Sequence, residues 1–455
     1  MIDSKPAGSK LSKDRNVKLA GGVRGRRPLA LLLPLYVVIF VGFAGYSLMI
    51  TVFTPLLLHG NTPLLAPGDS MRTRTIVLGI LLCLYPLGQF LGSPILGWLS
   101  DRFGRKPVLM ISLAVTTVCY ALIALSLTIG SMTLLVVASI VAGLSEANIV
   151  AAQSAIADVA APADRNRFFG YIYMSVSSAY IVGPLVGGKL ADSSLVSWFN
   201  DATPFWTVVF LLVLTTAATA IFFRETHTPG PNHGSAMKAF TNLADVFTNR
   251  RLRALYWLNF LLYLAIFGFF RCYPMYLVDR FHMGVSQVSE FIAWVGVPIV
   301  LANLWLTSFL SRRYAVKTIT VWSGLLTGVF MLVVVIPPQI GALWITLFLT
   351  SGALALSLPS CATLLSVAAS QDEQGCVMGN NQALQVGAEA LSGIMGGLLA
   401  AVAVKLSLIV MAAIAILAAV LLKFNSRPKM PRDVSAGQPW SALEMESANV
   451  DPRAD

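Results

Sequence analysis

The sequence of 455 residues contains few charged side chains, since Asp, Glu, Lys and Arg make up only 12% of it. Soluble domains have about 25% charged and about 45–50% apolar residues, whereas 56% of this chain is hydrophobic and its mean hydropathy is +0.74. This composition excludes a soluble globular enzyme. It also excludes a disordered chain, which requires low hydrophobicity and high charge.

The chain also lacks the usual signatures of metal, nucleotide and covalent chemistry. Its five cysteines form no CxxC pair and fall in or beside apolar runs, which is typical of small apolar core residues. Its four histidines form no ligand cluster, and no GxxxxGK[ST] loop is present. We therefore expect neither a cofactor nor a metal, and no enzymatic activity.

What the chain has instead is a series of long apolar runs. The N-terminal run is too long for the apolar core of a signal peptide and lacks a cleavage motif, so it predicts a retained membrane span. An even number of spans places both termini on one side of the membrane. The twelve predicted spans are 30–57, 74–99, 108–129, 132–157, 168–191, 205–223, 254–278, 286–310, 318–336, 340–366, 376–401 and 406–424.

A polar stretch at 224–253, rich in Pro and Gly, divides the spans into two groups of six. The predicted organisation is a basic tail (1–28), a first bundle (29–223), a linker (224–253), a second bundle (254–424) and a polar tail (425–455).

The basic residues are unevenly distributed between the predicted loops. Of the 32 Lys and Arg residues, 26 lie in the tails and in the loops on the same side as the tails. Cytoplasmic loops carry the excess of Lys and Arg, so this bias predicts that both termini are cytoplasmic. It also accounts for the net charge of +11 without a nucleic-acid partner.

Two short patterns recur between the halves. The loop at 100–106 and the loop at 311–317 share Ser, Arg and Lys at an offset of 211, and the glycines at 183–188 resemble those at 393–397. Repeated six-helix halves place a substrate site at their interface, near mid-membrane.

The segment Gly97-Trp98-Leu99-Ser100-Asp101-Arg102-Phe103-Gly104-Arg105-Lys106-Pro107 resembles the G-x-L-x-D-R-x-G-R-K loop of the major facilitator superfamily. The resemblance implies an all-α membrane protein with twelve transmembrane helices in two pseudo-symmetric six-helix bundles. It also implies a charge network that latches the cytoplasmic side, although Arg102, Arg105 and Lys106 could instead serve only as topology determinants. The implied gating residues are Gly97, Asp101, Arg102, Gly104, Arg105, Asp158 and Arg165.

Gly183-Pro184-x-x-Gly187-Gly188 in span five is similar to the G-P-x-x-G-G motif of the drug:proton antiporter branch of that family. The resemblance implies a bend and a seal that favour exchange over leak, whereas the alternative is ordinary packing of small residues. The sequence departs from that branch at two positions, so the residues that couple transport to protons in that branch cannot be assigned here. Ser139 stands where an Arg is usual, and span one contains no acid.

Ionisable residues within apolar spans cost at least about 2.5–3.5 kcal/mol at mid-span on insertion scales, and therefore indicate function. Glu146 and Glu389 lie near the middle of spans four and eleven and are our candidates for the coupled proton. For Glu146 the alternative is a structural interhelical hydrogen bond, and for Glu389 it is direct contact with substrate.

Polar residues near these spans are candidates for a substrate cavity. Gln382, Gln385, Glu389 and Ser392 share one helical face. Arg271 is expected either to bind an anionic group or to pair with Glu290. The predicted cavity residues are Arg271, Gln382, Gln385, Gln153, Ser175 and Glu290.

Taken together, these features predict a monomeric, proton-coupled exporter of a small organic molecule or drug in a bacterial inner membrane. The expected partners are the substrate, protons and the lipid bilayer. The alternative is a proton-symporting importer of a nutrient, an organic anion or a siderophore, which is favoured by Arg271 and by Ser139 but not by Gly183-Pro184.

The predicted orientation is testable with reporter fusions. We expect green fluorescent protein fused to either terminus to fluoresce, and alkaline phosphatase to be inactive at either terminus but active when it is inserted in the loop between spans five and six. Active alkaline phosphatase at a terminus would reverse the orientation.

Overall fold

A computed structural model describes residues 28–58, 62–66, 68–159, 165–226, 245–369 and 374–425. These residues form helices joined by short connections, and no strand occurs among them. The tails 1–27 and 426–455, and most of the predicted linker, lie outside the described residues.

The described residues of the first half form seven helical segments. They are α1 (Pro28–Leu58), α2 (Met71–Phe103), α3 (Arg105–Ile129), α4 (Met132–Glu146), α5 (Ile149–Val159), α6 (Arg165–Leu190) and α7 (Thr203–Phe222).

The second half begins with one short helix and continues with long ones. They are α8 (Asp245–Thr248), α9 (Arg253–Phe281), α10 (Val285–Leu301), a π-helical turn (Ala302–Leu306), α11 (Thr307–Ser311), α12 (Val316–Val334), α13 (Ile340–Ala368), α14 (Gln374–Ala400) and α15 (Val404–Phe424).

The all-α membrane fold is confirmed, since ten helices among the described residues are long and apolar enough to cross a bilayer. Helices suit this role because each backbone polar group is satisfied within the segment. Two predicted spans are not among these ten. One coincides with α6, and the other coincides with α10, a shorter apolar helix, together with the π-helical turn and α11 that follow it. The count of twelve therefore stays a prediction.

Span four is not the single helix that its apolar run predicted. It breaks after Glu146, where Asn148 N donates to Ser145 O (3.3 Å) and Val150 N donates to Ala147 O (3.1 Å), each three residues back instead of four. Helix α5 then continues from Ile149. The break places a buried carboxylate at the end of α4, where the regular backbone hydrogen bonding stops.

We call the end of the bundle that carries the start of α1 and the end of α15 the basic side, and the other end the opposite side. The two halves pack closely towards the opposite side. A Cβ on Gly79 of α2 would lie only 2.6 Å from Gly397 Cα of α14, whereas one on Gly387 would be 3.8 Å from Phe90. The backbones of α2 and α14 therefore approach most closely near their opposite-side ends.

A second seam joins α6 to α10 in the same region. Gly188 of α6 lies directly against the side chain of Ser289 of α10, and Gly296 of α10 faces Ile181 of α6. Glycine permits both approaches because a larger side chain would overlap its neighbour. The halves are therefore in contact at the opposite side.

Candidate functional site

A buried polar cluster lies where the two halves meet. Tyr46 of α1 donates to Glu389 Oε1 of α14 (2.5 Å) and accepts a short hydrogen bond from Nη2 of Arg271 of α9. The same Nη2 lies 3.5 Å from Glu389 Oε1. We call Tyr46, Arg271, Glu389 and Ser392 the interface cluster.

Arg271 is held at several atoms and is only 1% exposed. Its Nε donates to Glu389 O (3.3 Å) and to Ser392 Oγ (3.2 Å), while Ser392 Oγ donates to Glu389 O (2.7 Å). A buried guanidinium needs both a countercharge and satisfied hydrogen bonds, and Glu389 and Ser392 provide them.

One nitrogen of this guanidinium is left over. Arg271 Nη1 has no hydrogen-bond partner among the described residues. The hydroxyl of Tyr85, whose ring stacks on Tyr46 at 4.8 Å, also has none among them. The cluster therefore retains donor capacity for a ligand or water.

The sequence singled out Arg271 and Glu389 separately but did not bring them together. Of the two alternatives for Arg271, pairing with Glu290 is not what the structure has. Glu290 Oε1 pairs instead with Lys189 Nζ at 2.5 Å, and Lys189 also donates to Ser286 Oγ (2.7 Å). This ion pair links α6 to α10, and both side chains are half-exposed.

Asp192 follows the Lys189–Glu290 pair in the loop after α6. Ser194 donates to its carboxylate from Oγ (2.6 Å) and from the backbone N (3.0 Å). These hydrogen bonds lower the pKa of Asp192, so this carboxylate stays ionised on the opposite side.

The polar face of α14 changes exposure along its length. Gln382 is exposed and Gln385 is half-buried, whereas Glu389 and Ser392 are buried. Because the four residues share one face, the space beside α14 opens towards the basic side and is closed at Glu389.

Glu146 lies apart from the interface cluster, inside the first half. It is 2% exposed, its Oε2 accepts from Tyr120 (3.4 Å), and its Oε1 has no partner among the described residues. Gly42 of α1 lies directly against the carboxylate. No Lys or Arg among the described residues pairs with Glu146.

The other predicted cavity residues are not brought into the interface cluster. Gln153 of α5 and Ser175 of α6 are half-buried, and Ser175 Oγ donates to Tyr171 O of its own helix (2.9 Å).

The predicted gating loop forms a compact charge network around Arg105. Its Nη1 lies 2.5 Å from Asp101 Oδ1 and 2.7 Å from Ser100 Oγ, and its Nε lies 3.1 Å from Asp158 Oδ2. Arg105 is 6% exposed. The network connects the end of α2, the start of α3 and the end of α5.

The remaining gating residues differ in their surroundings. The guanidinium of Arg102 lies over the rings of Trp98 and Phe103, at 5.2 and 5.3 Å. Gly97 lies near Val150, and a Cβ at this position would be in ordinary van der Waals contact. Arg165 is the first residue of α6, and its side chain lies outside the described residues.

Sequence reasoning missed the part played by Glu225. Its two carboxylate oxygens accept the backbone N–H groups of Arg105 and Lys106, each at 2.9 Å. An anion at a helix N-terminus is stabilised by unpaired N–H groups and by the helix dipole. Glu225 therefore caps α3, and Gly104, at φ 101°, leaves room for its carboxylate. In the sequence Glu225 is one polar residue of the predicted linker, and its distance of 120 positions from Arg105 gives no signal of the cap.

The glycines of the G-P-x-x-G-G segment serve close packing. Gly183 and Gly187 face Ala44, Ser47 and Leu48 of α1, while Gly188 faces α10. Pro184 lies within a helix that continues to Leu190. Through this segment α6 packs against α1 of its own half and against α10 of the second half.

The chain resembles known transporters in sequence and in structure. The sequence model of the Major Facilitator Superfamily matches residues 35–379 and 272–449. Over 322 residues the chain is 29% identical to a tetracycline resistance protein, class C, from Escherichia coli, covering 70% of this chain and 77% of that protein. A class H tetracycline resistance protein from Pasteurella multocida is 28% identical, covering 70% of this chain and 78% of that protein.

A solved structure supports the same fold. A bacterial homologue of the human lysosomal transporter Spinster, in an inward-facing and occupied conformation, aligns with a TM-score of 0.71 at 13% identity. The alignment covers 88% of this chain and 97% of that one.

The cap on α3 gives a test of the loop network. We expect Glu225→Ala to destabilise the protein by about 0.5–2 kcal/mol, because two N–H groups of α3 lose their acceptor. The measurement is thermal unfolding in detergent. Arg224→Ala, which changes an exposed neighbouring residue, is the matched control. Equal effects of the two substitutions would contradict the capping role.

Proposed function

The chain belongs to the major facilitator superfamily, and on that premise we propose that it is a proton-coupled transporter that exports a small organic molecule or drug by alternating access. The observation that carries the proposal is the buried interface cluster, which joins ionisable groups of one half to a side chain of the other. Its sequence relatives, the tetracycline resistance proteins, support a drug as the substrate.

In this proposal the transport event is a conformational change without covalent chemistry. The two halves rock about the space between them, which opens first to one side and then to the other. The halves are in contact at the opposite side, at Gly79 and at Gly188, while Gln382 is exposed towards the basic side. Both observations support a state that receives substrate from the basic side. The excess of Lys and Arg supports assigning that side to the cytoplasm, and the proposed location is a bacterial inner membrane.

Glu146 and Glu389 are the proposed proton-coupling residues, in different surroundings. An ionised carboxylate is expensive to bury without a cation. Glu146 has no cation partner among the described residues, so its buried state suits a carboxyl group that carries a proton. Glu389 lies beside Arg271, so its buried state suits an ionised carboxylate. A proton gained or lost at either residue changes the free energy of the state in which the halves are in contact at the opposite side.

The remaining site residues have further proposed roles. Gln382, Gln385, Gln153 and Ser175 are proposed to line the substrate path. The network around Arg105, together with Gly97, Arg102 and Arg165, is proposed to latch the basic side when it closes. Glu290 is proposed to serve the opposite-side seam through Lys189.

Coupling is tested by transport in inside-out vesicles that carry an imposed proton gradient, with tetracycline as the first compound of a small panel. We expect Glu146→Gln or Glu389→Gln to reduce gradient-driven accumulation to the level seen without a gradient, because the amide cannot exchange a proton. Asp279→Asn is the control, since that carboxylate is exposed near the end of α9 and has no proposed role.

Full coupling retained in both variants would refute the proton-carrier proposal. The direction is tested separately in cells with the gene deleted or overexpressed, where accumulation that rises on overexpression would refute export.

The interface cluster favours one alternative, symport of an organic anion. Arg271 is already paired with Glu389, so an anionic substrate could take this guanidinium only after Glu389 becomes neutral. Protonation would then promote substrate binding, and the two would move together. An exporter that exchanges substrate for protons requires the reverse, because substrate and proton must compete.

Substrate binding measured against pH separates these two mechanisms. For the exporter we expect affinity to fall as pH falls, by up to about tenfold per pH unit for one competing proton. For an anion symporter the affinity rises as pH falls, and Arg271→Gln abolishes the dependence. Isothermal titration of the purified protein between pH 6 and pH 8 provides the measurement.

A further inference from the structure

Tyr46 is the member of the interface cluster that comes from the first half. Its hydroxyl donates to Glu389 and accepts from Arg271, and both of these residues belong to the second half. The phenol ring stacks on Tyr85 of α2 at 4.8 Å and 16°. The first half therefore holds the ring, while the second half binds the hydroxyl.

We propose that Tyr46 is the positioning residue through which the ionisation of Glu389 controls contact between the halves at the opposite side. This inference rests on the alternating-access part of the proposed function, but not on the identity of the substrate or on the direction of transport.

The physical reason is the difference between charged and neutral hydrogen bonds. Hydrogen bonds to an ionised group are roughly twice as strong as neutral ones. While Glu389 is ionised, Tyr46 donates to a carboxylate and the bridge between the halves is strong. When Glu389 gains a proton, the hydrogen bond from Tyr46 becomes neutral. The attraction between α1 and the helices α9 and α14 is then weaker.

Other ionisable groups face the cluster from every helix around it. They are Cys83 and Tyr85 of α2, Tyr180 of α6 and Cys272 of α9. Phenols and thiols ordinarily stay neutral, and guanidinium stays charged, below about pH 8. Glu389 is thus the carboxylate of this set, and its charge is the one that protonation removes as the pH falls.

Cys83 provides a reporter within the unmodified chain. It is 3% exposed, and its backbone lies against Gly393 at the α2–α14 seam. Separation of this seam exposes Cys83. Cys361 is fully buried within the second half, where its carbonyl accepts from Asn259 (2.8 Å), so it responds to unfolding instead.

The test compares alkylation of Cys83 by N-ethylmaleimide in wild type and Tyr46→Phe, using purified full-length protein in detergent and peptide mass spectrometry. Phenylalanine keeps the ring stack and removes only the hydroxyl. At pH 8 we expect the variant to react about tenfold faster than wild type. We expect the ratio to fall as the pH is lowered and Glu389 gains its proton, because the bond from Tyr46 to Glu389 then becomes neutral in wild type. Taking the ratio at each pH cancels the pH dependence of the thiol itself.

Two controls sharpen the result. Tyr85→Phe removes a hydroxyl that has no partner among the described residues, and it should leave the Cys83 rate unchanged. Glu389→Gln should accelerate Cys83 at pH 8. Addition of Tyr46→Phe to Glu389→Gln should accelerate Cys83 by less than Tyr46→Phe does in wild type, because only the hydrogen bond from Arg271 remains to be lost.

The inference is overturned if Tyr46→Phe leaves the Cys83 rate at the wild-type value. It is also overturned if Tyr46→Phe accelerates Cys83 equally in wild type and in the Glu389→Gln background. Joint acceleration of Cys83 and Cys361 overturns it too, since that outcome indicates a role in stability alone. Failure of proton-driven transport with Cys83 responding as expected would refute the proposed function and leave the role of Tyr46 intact.

Discussion

The guanidinium of Arg271 is the group on which the arrangement of the two halves depends. A charge this deeply buried must be matched by a countercharge and by hydrogen bonds. Glu389 and Ser392 supply these from α14, and Tyr46 supplies an acceptor from α1. Because α1 belongs to the other half, satisfying Arg271 also brings the two halves together.

The glycine seams make this arrangement possible. Tyr46 can reach Arg271 and Glu389 only when the helices of the two halves lie close, and Gly79, Gly188 and Gly397 allow backbone approach on either side of the cluster. The Lys189–Glu290 pair adds a half-exposed contact at the second seam, and half-exposed ion pairs are worth little by themselves. The buried cluster and the close helix packing therefore dominate the closed side.

The loop network at the basic side is organised by a different rule. Arg105 is matched by Asp101 and Asp158, and Glu225 neutralises the N-terminus of α3. These contacts all lie within the first half, so they brace three helix ends into one unit. A rigid unit of this kind is what a rocking motion of whole bundles requires.

Much of the fold could be predicted from the sequence, because lipid restricts a spanning chain to apolar helices. The apolar runs located α1, α2 and α3 within a few residues. They did not reveal the break after Glu146, since Ser145, Glu146 and Asn148 are a short polar interruption in a run that otherwise stays apolar from 132 to 157. The spacing of Gln382, Gln385, Glu389 and Ser392 predicts a polar face of α14. The partner of that face was not predictable, because Tyr46 lies 343 positions from Glu389 in the chain and a tyrosine in an apolar run carries no distinctive signal.

The sequence by itself determined the membrane class, the helical fold and the family, since these follow from composition, periodicity and one local loop motif. Its biased Lys and Arg distribution also predicts the orientation. Only the tertiary structure decided which buried charges meet: Arg271 pairs with Glu389 rather than Glu290, Glu146 lies without a cation among the described residues, and Glu225 caps α3. The reason is that ion pairs and caps between distant segments depend on how the helices pack, and spacing within one helix does not encode that packing.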